Sequence, residues 1–248
     1  ELVEHALSFG VLGRAIERGV LAVETVNPRQ FATDVHKTVD DRPYGGGPGM
    51  VLKAEPLRLA MLEAARRVPA ARRIYLAADG APVTQRRVAG LAGMAELVLV
   101  AGRYEGVDER FVEAYTDESL SVGDVVLSGG ELPALMVIDA VARLLPGTLG
   151  DAESAVQESF SDGLLDWPHY TRPEVWADRP VPAVLLGGNH AAIERWRRKQ
   201  ALGRTLVRRP ELLRQRELSK EERGLLDEYQ AEQDATRHGA RDATIAER

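Results

Sequence analysis

Two hydrophobic periods alternate along the first half of the chain, and their order predicts its architecture. From Leu2 to Arg18 and from Glu55 to Arg67 the apolar residues fall at helical spacing; in the second stretch Leu57, Met61, Leu62 and Ala65 share one face. Ile74-Tyr75-Leu76-Ala77 and Glu96-Leu97-Val98-Leu99-Val100 are short apolar runs of the kind that form buried strands. Asp79-Gly80 is expected to end the first as a turn, and Ala101-Gly102 to close the second. Thr84 to Leu91 and Asp108 to Tyr115 read as short helices, and Ser119 to Leu127 as a further strand pattern interrupted by Gly123-Asp124. Pro133 to Leu145 reads as a helix with Leu135, Ile138, Val141 and Leu145 in one stripe. Its proline stands in the first turn, where a missing N–H leaves no bond unmade.

Strands alternating with helices imply an α/β fold, a parallel sheet covered by helices. Such sheets bind ligands at the carboxyl ends of their strands. Three glycine-bearing loops fall there: Ala78-Asp79-Gly80, Gly102-Arg103-Tyr104-Glu105-Gly106 and Ser128-Gly129-Gly130. The pattern breaks between Pro146 and Arg172, where glycine, serine and aspartate accumulate. Beyond lie two helices, a basic one from Ala191 to Leu202 and another from Ser219 to Glu232. The expected division is a domain over 1–150, a flexible linker over 151–172 and a small, mostly helical domain over 173–248. The polar tail after Asp234 is expected to fray.

Composition narrows the classes. The absence of cysteine excludes disulfides and thiolate zinc sites. No apolar run is long enough to span a bilayer, and Glu1-Leu2-Val3-Glu4-His5 is acidic where a signal peptide is basic, so a cytoplasmic protein is expected. A net charge of -6 argues against a nucleic-acid partner if taken as a sum. Its distribution reverses that. Arg195, Arg197, Arg198, Lys199, Arg204, Arg208, Arg209, Arg214 and Arg216 crowd one segment whose acids are Glu194 and Glu211. The segment suits phosphates, or equally a solvated helical face.

Asp40-Asp41-Arg42-Pro43-Tyr44-Gly45-Gly46-Gly47-Pro48-Gly49-Met50 lets backbone approach a ligand closely, though no Gly-Lys-Ser/Thr follows and it is not a P-loop. Ser121 to Pro133 sets apolar residues between glycines, a pattern that can bond an adenine edge through main-chain groups and sandwich the ring. Asp139, Arg143, Glu153, Glu158, Asp162 and Asp166 gather charge around the break; Asp139 and Arg143, four apart, also suit a plain surface pair. Trp167-Pro168-His169-Tyr170-Thr171-Arg172-Pro173 interleaves aromatic and basic groups, as single-stranded RNA readers do and as packing anchors also do.

These motifs, in this order, resemble the bacterial tRNA (guanine-N1)-methyltransferases of the knotted SPOUT class. The match runs through Thr38 to Met50, Gly102 to Arg110, Ser121 to Pro133, Leu164 to Pro173, Gly188-Asn189-His190, Trp196 to Gln200 and Leu202 to Thr205, nearly the whole chain up to Leu213. The resemblance implies a deep trefoil knot, an exception to the rule that chains do not thread loops. It implies a homodimer whose sites draw on both chains, and S-adenosylmethionine held by Tyr75, Leu76, Gly102, Arg103, Tyr104, Glu105, Ser121, Val122, Gly123, Asp124, Val125, Val126, Leu127, Gly129, Gly130 and Pro133. The implied substrate is the guanosine 3′ of the tRNA anticodon, preceded by another guanosine, with the tRNA bound by the helical domain. Asp166 and His169 would read nearby bases in the anticodon stem-loop, and Arg195, Arg197, Arg198 and Lys199 would grip phosphates. Magnesium dependence is implied too, with no ligand set evident.

Two departures stand out. The family opens with a core strand ending in Leu-Phe-Pro before the helix that begins here, so more chain is expected ahead of Glu1. The family's proposed base is the aspartate of Glu-Asp-Ser-Phe; here the motif reads Gln157-Glu158-Ser159-Phe160, a carboxylate one methylene longer. Glu158 is then the expected general base and Arg143 the group that stabilises charge on guanine O6. A SPOUT enzyme acting on another RNA and a catalytically silent RNA-binding paralogue are the alternatives.

Overall fold

The computed structural model describes residues 2–150 and 158–246. The chain divides into two compact units, Glu1–Ala155 and Val156–Arg248. Residues 151–157, the first part of the expected linker with Glu153, lie outside the described residues.

The first unit is α/β. In chain order it holds α1 (Leu2–Ala6), α2 (Gly10–Glu17), β1 (Asp40–Asp41), β2 (Val51–Leu52), α3 (Ala54–Arg67), β3 (Arg72–Pro82), α4 (Gln85–Ala92), β4 (Leu97–Ala101), α5 (Glu109–Tyr115), β5 (Glu118–Ser121) and α6 (Glu131–Leu144). β3 is central and parallel to β4 on one side and β5 on the other. Strand side chains alternate between faces, and two cores result. Ile74, Leu76 and Leu120 pack with Val88 and Leu91 of α4 and Val137 and Val141 of α6. Tyr75, Val98 and Val100 face Leu57 and Met61 of α3 and Phe111 of α5. Leu91, Ile74 and Leu120 are at most 1% exposed, and each such burial contributes roughly 1.5–3 kcal/mol. Polar caps start the short helices: the Arg87 N–H donates to Thr84 Oγ1 at 3.2 Å, and the Arg110 N–H to Asp108 Oδ1 at 3.1 Å.

Three local expectations are corrected. The first helical pattern is broken between Ala6 and Gly10, where Gly10 takes φ +64°. Asp79-Gly80 does not end its strand; β3 runs on to Pro82, pairing with β5 on both sides of an irregularity between Leu76 and Ala81. Gly80 is there because backbone passes it: a Cβ would lie 2.5 Å from the main chain of Leu120. Conversely β5 stops at Ser121, and the rest of its apolar run leaves the sheet. The Gly123 N–H donates to Ser121 Oγ at 3.3 Å and turns the chain away.

The second unit holds β6 (Val175–Trp176) and β7 (Arg179–Pro180), a two-stranded ribbon, then α7 (His190–Arg208), α8 (Pro210–Arg214) and α9 (Lys220–Ala246). α9 stays helical past Asp234, where the composition suggested fraying. α7 packs on α9 through Leu202 and Leu225. Gly203 fits under the Tyr229 ring, whose atoms lie 2.3 Å from where a Cβ would be. Ion pairs fasten the same face: Arg195 to Glu228 and Lys199 to Glu232, each at 2.5 Å, and both Arg198 and Arg216 to Glu222.

Glu222 is 8% exposed. Burial pushes its carboxyl up, but the Ser219 N–H and the Arg198 and Arg216 guanidiniums outweigh it and hold the group below its ordinary value. A depressed carboxyl stabilises the fold above the unfolded value of about 4.3, and that contribution is lost as the pH falls through the folded value. Thermal melts followed by circular dichroism should show the helical unit weakening below about pH 4.5. Glu222→Gln should flatten that dependence and cost about 1–3 kcal/mol at neutral pH, since both guanidiniums lose a carboxylate while Asp162 still holds Arg198. Equal neutral stability and an unchanged acid slope would contradict the cluster's role.

Candidate functional site

A cavity of about 410 Å³ opens at the carboxyl ends of the parallel strands, within the size range of small-molecule sites. Its walls come from the end of β3 (Tyr75 to Asp79), the loop after β4 (Gly102 to Val107), the end of β5 with the chain that leaves it (Leu120 to Gly123, Val125 to Leu127), and the entry to α6 (Gly129, Gly130, Pro133). Of the residues expected to hold the cofactor, each lines this one cavity except Asp124. The sequence reading missed Ala77, Ala78, Asp79, Gly106, Val107, Glu109 and Leu120. Asp79 and Gly106 lay inside loops already noted for their glycines, which was the available signal.

Glycine makes the walls possible. The Gly130 N–H donates to the Gly102 carbonyl at 2.7 Å, and a Cβ on Gly130 would fall 2.7 Å from Ala101 Cα. Arg103 and Gly129 form an antiparallel bridge, and Arg103 Nε donates to Glu131 Oε1 at 2.5 Å. Gly123 has φ +140° and no atom within 4 Å of where its Cβ would be, so the backbone demands glycine while the space beside it stays open. Val125 and Val126 are 59% and 96% exposed, apolar surface next to that opening. Burial, with Asp79 adding to it, pushes the Tyr75 phenol up, so it carries its proton at neutral pH.

The glycine-rich Asp40 to Met50 segment is fixed at both ends. Asp40 and Asp41 pair with Leu52 and Val51, and the Glu105 N–H donates to the Met50 carbonyl at 3.0 Å. A Cβ at Gly49 would lie 2.3 Å from Glu105 Oε1. The segment therefore abuts a residue of the cavity wall, and Tyr44 at its tip is wholly exposed.

A second and larger cavity, about 680 Å³, lies at the opposite ends of the strands between Arg72, Arg73, Glu96 and Asp117. Size does not make it the better site, because each of those charges already has a protein partner. Arg73 Nη2 donates to Asp117 Oδ1 at 2.6 Å, Arg72 Nε to Glu118 Oε1 at 3.0 Å, and Glu96 accepts the Ala70 N–H at 3.1 Å.

The remaining expected residues lie elsewhere. Arg143 is half-buried in the last turn of α6 and does not line the 410 Å³ cavity. Glu158 is half-buried in the second unit. There Asp166 and His169 meet, with Oδ2 and Nε2 2.8 Å apart. Trp167 stands 5.7 Å from the His169 ring, and Arg197 lies over it at 4.9 Å. Arg195, Arg198 and Lys199, expected to grip phosphates, are each ion-paired within the unit. Among the described residues, no group of three or more His, Cys, Asp or Glu side chains is placed to hold a metal, and no helix is long and apolar enough to cross a membrane.

Known proteins match the chain along nearly its full length. The family model described as tRNA (Guanine-1)-methyltransferase TrmD matches residues 1–215. A tRNA (guanine-N(1)-)-methyltransferase of Pseudomonas putida (strain GB-1) is 57% identical over 235 residues, 94% of each chain. Similar proteins of the same name come from Alcanivorax borkumensis, 59% identical over 239 residues, and Chromohalobacter salexigens, 57% over 240. Each of these covers 94% of this chain and 90% of its own. With the glycine-walled cavity in the unit that the family model spans, the chain belongs to the tRNA (guanine-1)-methyltransferase family.

Proposed function

We propose that this protein transfers the methyl group of S-adenosylmethionine to N1 of the guanosine 3′ of the tRNA anticodon. One observation carries the reading: in a member of this family, the residues expected to hold the methyl donor converge, Asp124 apart, on one cavity. The cavity fits such a ligand. Its glycines leave room, and Val125, Val126 and Leu127 offer apolar cover for a ring. When bound, the sulfonium supplies a methyl group already activated for transfer.

The protein's own part is orientation and proton control. Guanine N1 carries a proton at neutral pH, and its lone pair is available once that proton leaves. Glu158 is the group we assign to take it, and Arg143 the one that stabilises the charge appearing on O6. The target base leaves the anticodon-loop stack to reach the cavity, while Asp166 and His169 contact its neighbours. Magnesium dependence belongs to the same reading, without assigned ligands.

The knot and the dimer are part of the proposal. The close passage of Gly130 against Ala101-Gly102, which brings the entry to α6 against the loop after β4, supports a threaded chain. Leu132 and Met136, four apart on α6, are 52% and 55% exposed and with Val126 supply apolar surface for a second copy. We read residues 1–150 as the catalytic domain and the helical part over 173–248 as the tRNA-binding one, acting in the cytoplasm. Each site takes Arg143 and the segment around Gly123 from different protomers.

Gly123→Val puts a side chain into the open space beside the cavity and strains the backbone. Calorimetry should find S-adenosylmethionine binding abolished in a folded variant, and retained affinity would remove this segment from the site. Glu158→Gln should slow single-turnover methylation about 10²–10⁴-fold with cofactor affinity nearly unchanged, whereas Glu158→Asp stays active. A wild-type rate for the Gln variant across a pH series would shift the assignment to Asp166. Dimers mixing Arg143→Ala with Gly123→Val chains should regain activity at one site of two. Inactive heterodimers would contradict the sharing of sites.

A further inference from the structure

The basic residues of α7 sort by face. At about 100° per residue, Arg195 and Lys199 fall with Leu202 on the side packed against α9, where each cation has its acid. Arg198, beside them, is held by Asp162 and Glu222. Arg197, Arg204 and Arg208 recur at i, i+7 and i+11, on the opposite side. There the pairing stops. Arg197 reaches Glu194 only at 3.9 Å, and Arg204 and Arg208 have no carboxylate partner among the described residues.

Two of these guanidiniums are also partly stripped of water. The Nε atoms of Arg197 and Arg204 are buried without a hydrogen-bond partner among the described residues. A buried donor left unmade costs free energy, while both side chains remain partly exposed to an incoming anion. The same stripe carries flat apolar surface. Trp167 covers Arg197 and stands beside His169. The Leu165 N–H donates to Thr205 Oγ1 at 2.9 Å, tying the aromatic segment to α7.

From this we infer that Arg197, Arg204 and Arg208 form the track for an RNA phosphodiester backbone, with Trp167 as a stacking platform beside it. The inference rests on the proposed function for its choice of RNA. It deepens that reading by transferring the phosphate grip from the internally neutralised cations to the unneutralised face. An alternating series of guanidiniums and aromatic faces is how proteins hold single-stranded nucleic acid. Arg195 and Lys199 are then structural, joining α7 to α9.

Salt dependence separates the two sets, because each phosphate neutralised adds about 0.7–0.9 to the slope of log K against log[salt]. The probe is a fluorescent RNA hairpin with two adjacent guanosines in its loop, titrated with the full chain by anisotropy over a series of KCl concentrations. Arg204→Gln combined with Arg208→Gln should reduce the slope by about 1.4–1.8. S-adenosylmethionine affinity and thermal stability should hold near wild type. Arg195→Gln combined with Lys199→Gln should lower the melting temperature and leave the slope unchanged. If the Arg204/Arg208 variant keeps the wild-type slope, or the Arg195/Lys199 variant loses it, the inference is overturned. Methyl transfer by wild type to tRNA in that same case leaves the proposed function standing; a wild type that neither binds nor methylates RNA overturns both.

Discussion

The Gly130 N–H reaches the Gly102 carbonyl at 2.7 Å, and the site depends on that crossing. Main chain meets main chain there with no side chain between them, since a Cβ on Gly130 would sit 2.7 Å from Ala101 Cα. The loop after β4 and the entry to α6 become two walls of one cavity as a result. Gly80 does the same for β3 against β5. These contacts need a sheet fixed behind them, and the two apolar layers around Ile74 and Tyr75 supply it. A residue with a side chain at Gly130 would push the walls apart before it touched any ligand.

The two units use charge for different purposes. In the α/β unit Arg73 with Asp117 and Arg72 with Glu118 pair at the amino ends of the strands, while Arg103 pairs with Glu131 at the cavity wall. The cavity combines glycine backbone and apolar side chains with Asp79, Arg103, Glu105 and Glu109, which suits a ligand with an apolar ring and a charged end. In the helical unit much of the basic run serves internal assembly, so its density along the sequence overstates the charge offered to a partner. What is left over is ordered by the helical period into one stripe.

Much of this was legible in the order of residues. The α/β class, the central strands and the convergence of three glycine loops followed from periodicity and turn chemistry. What failed did so for local reasons. Asp79-Gly80 looked like a turn because glycine usually marks one; here it marks a close backbone passage inside a continuing strand, which depends on Leu120 some forty residues away. The run after Ser121 looked like strand because Val122, Val125 and Val126 favour one, yet it leaves the sheet and walls the cavity instead. The basic run could not be divided from sequence, since Glu222, Glu228 and Glu232 are distant along the chain and meet it only when α9 folds back.

The central claim is methyl transfer to one ring nitrogen. The direct measurement incubates the protein with methyl-labelled S-adenosylmethionine and a tRNA transcript carrying two guanosines at the anticodon's 3′ boundary, then digests the RNA to nucleosides. Label recovered in 1-methylguanosine, and lost when the second guanosine is replaced by adenosine, is the predicted result. Label in another nucleoside, or none in any, would contradict the account.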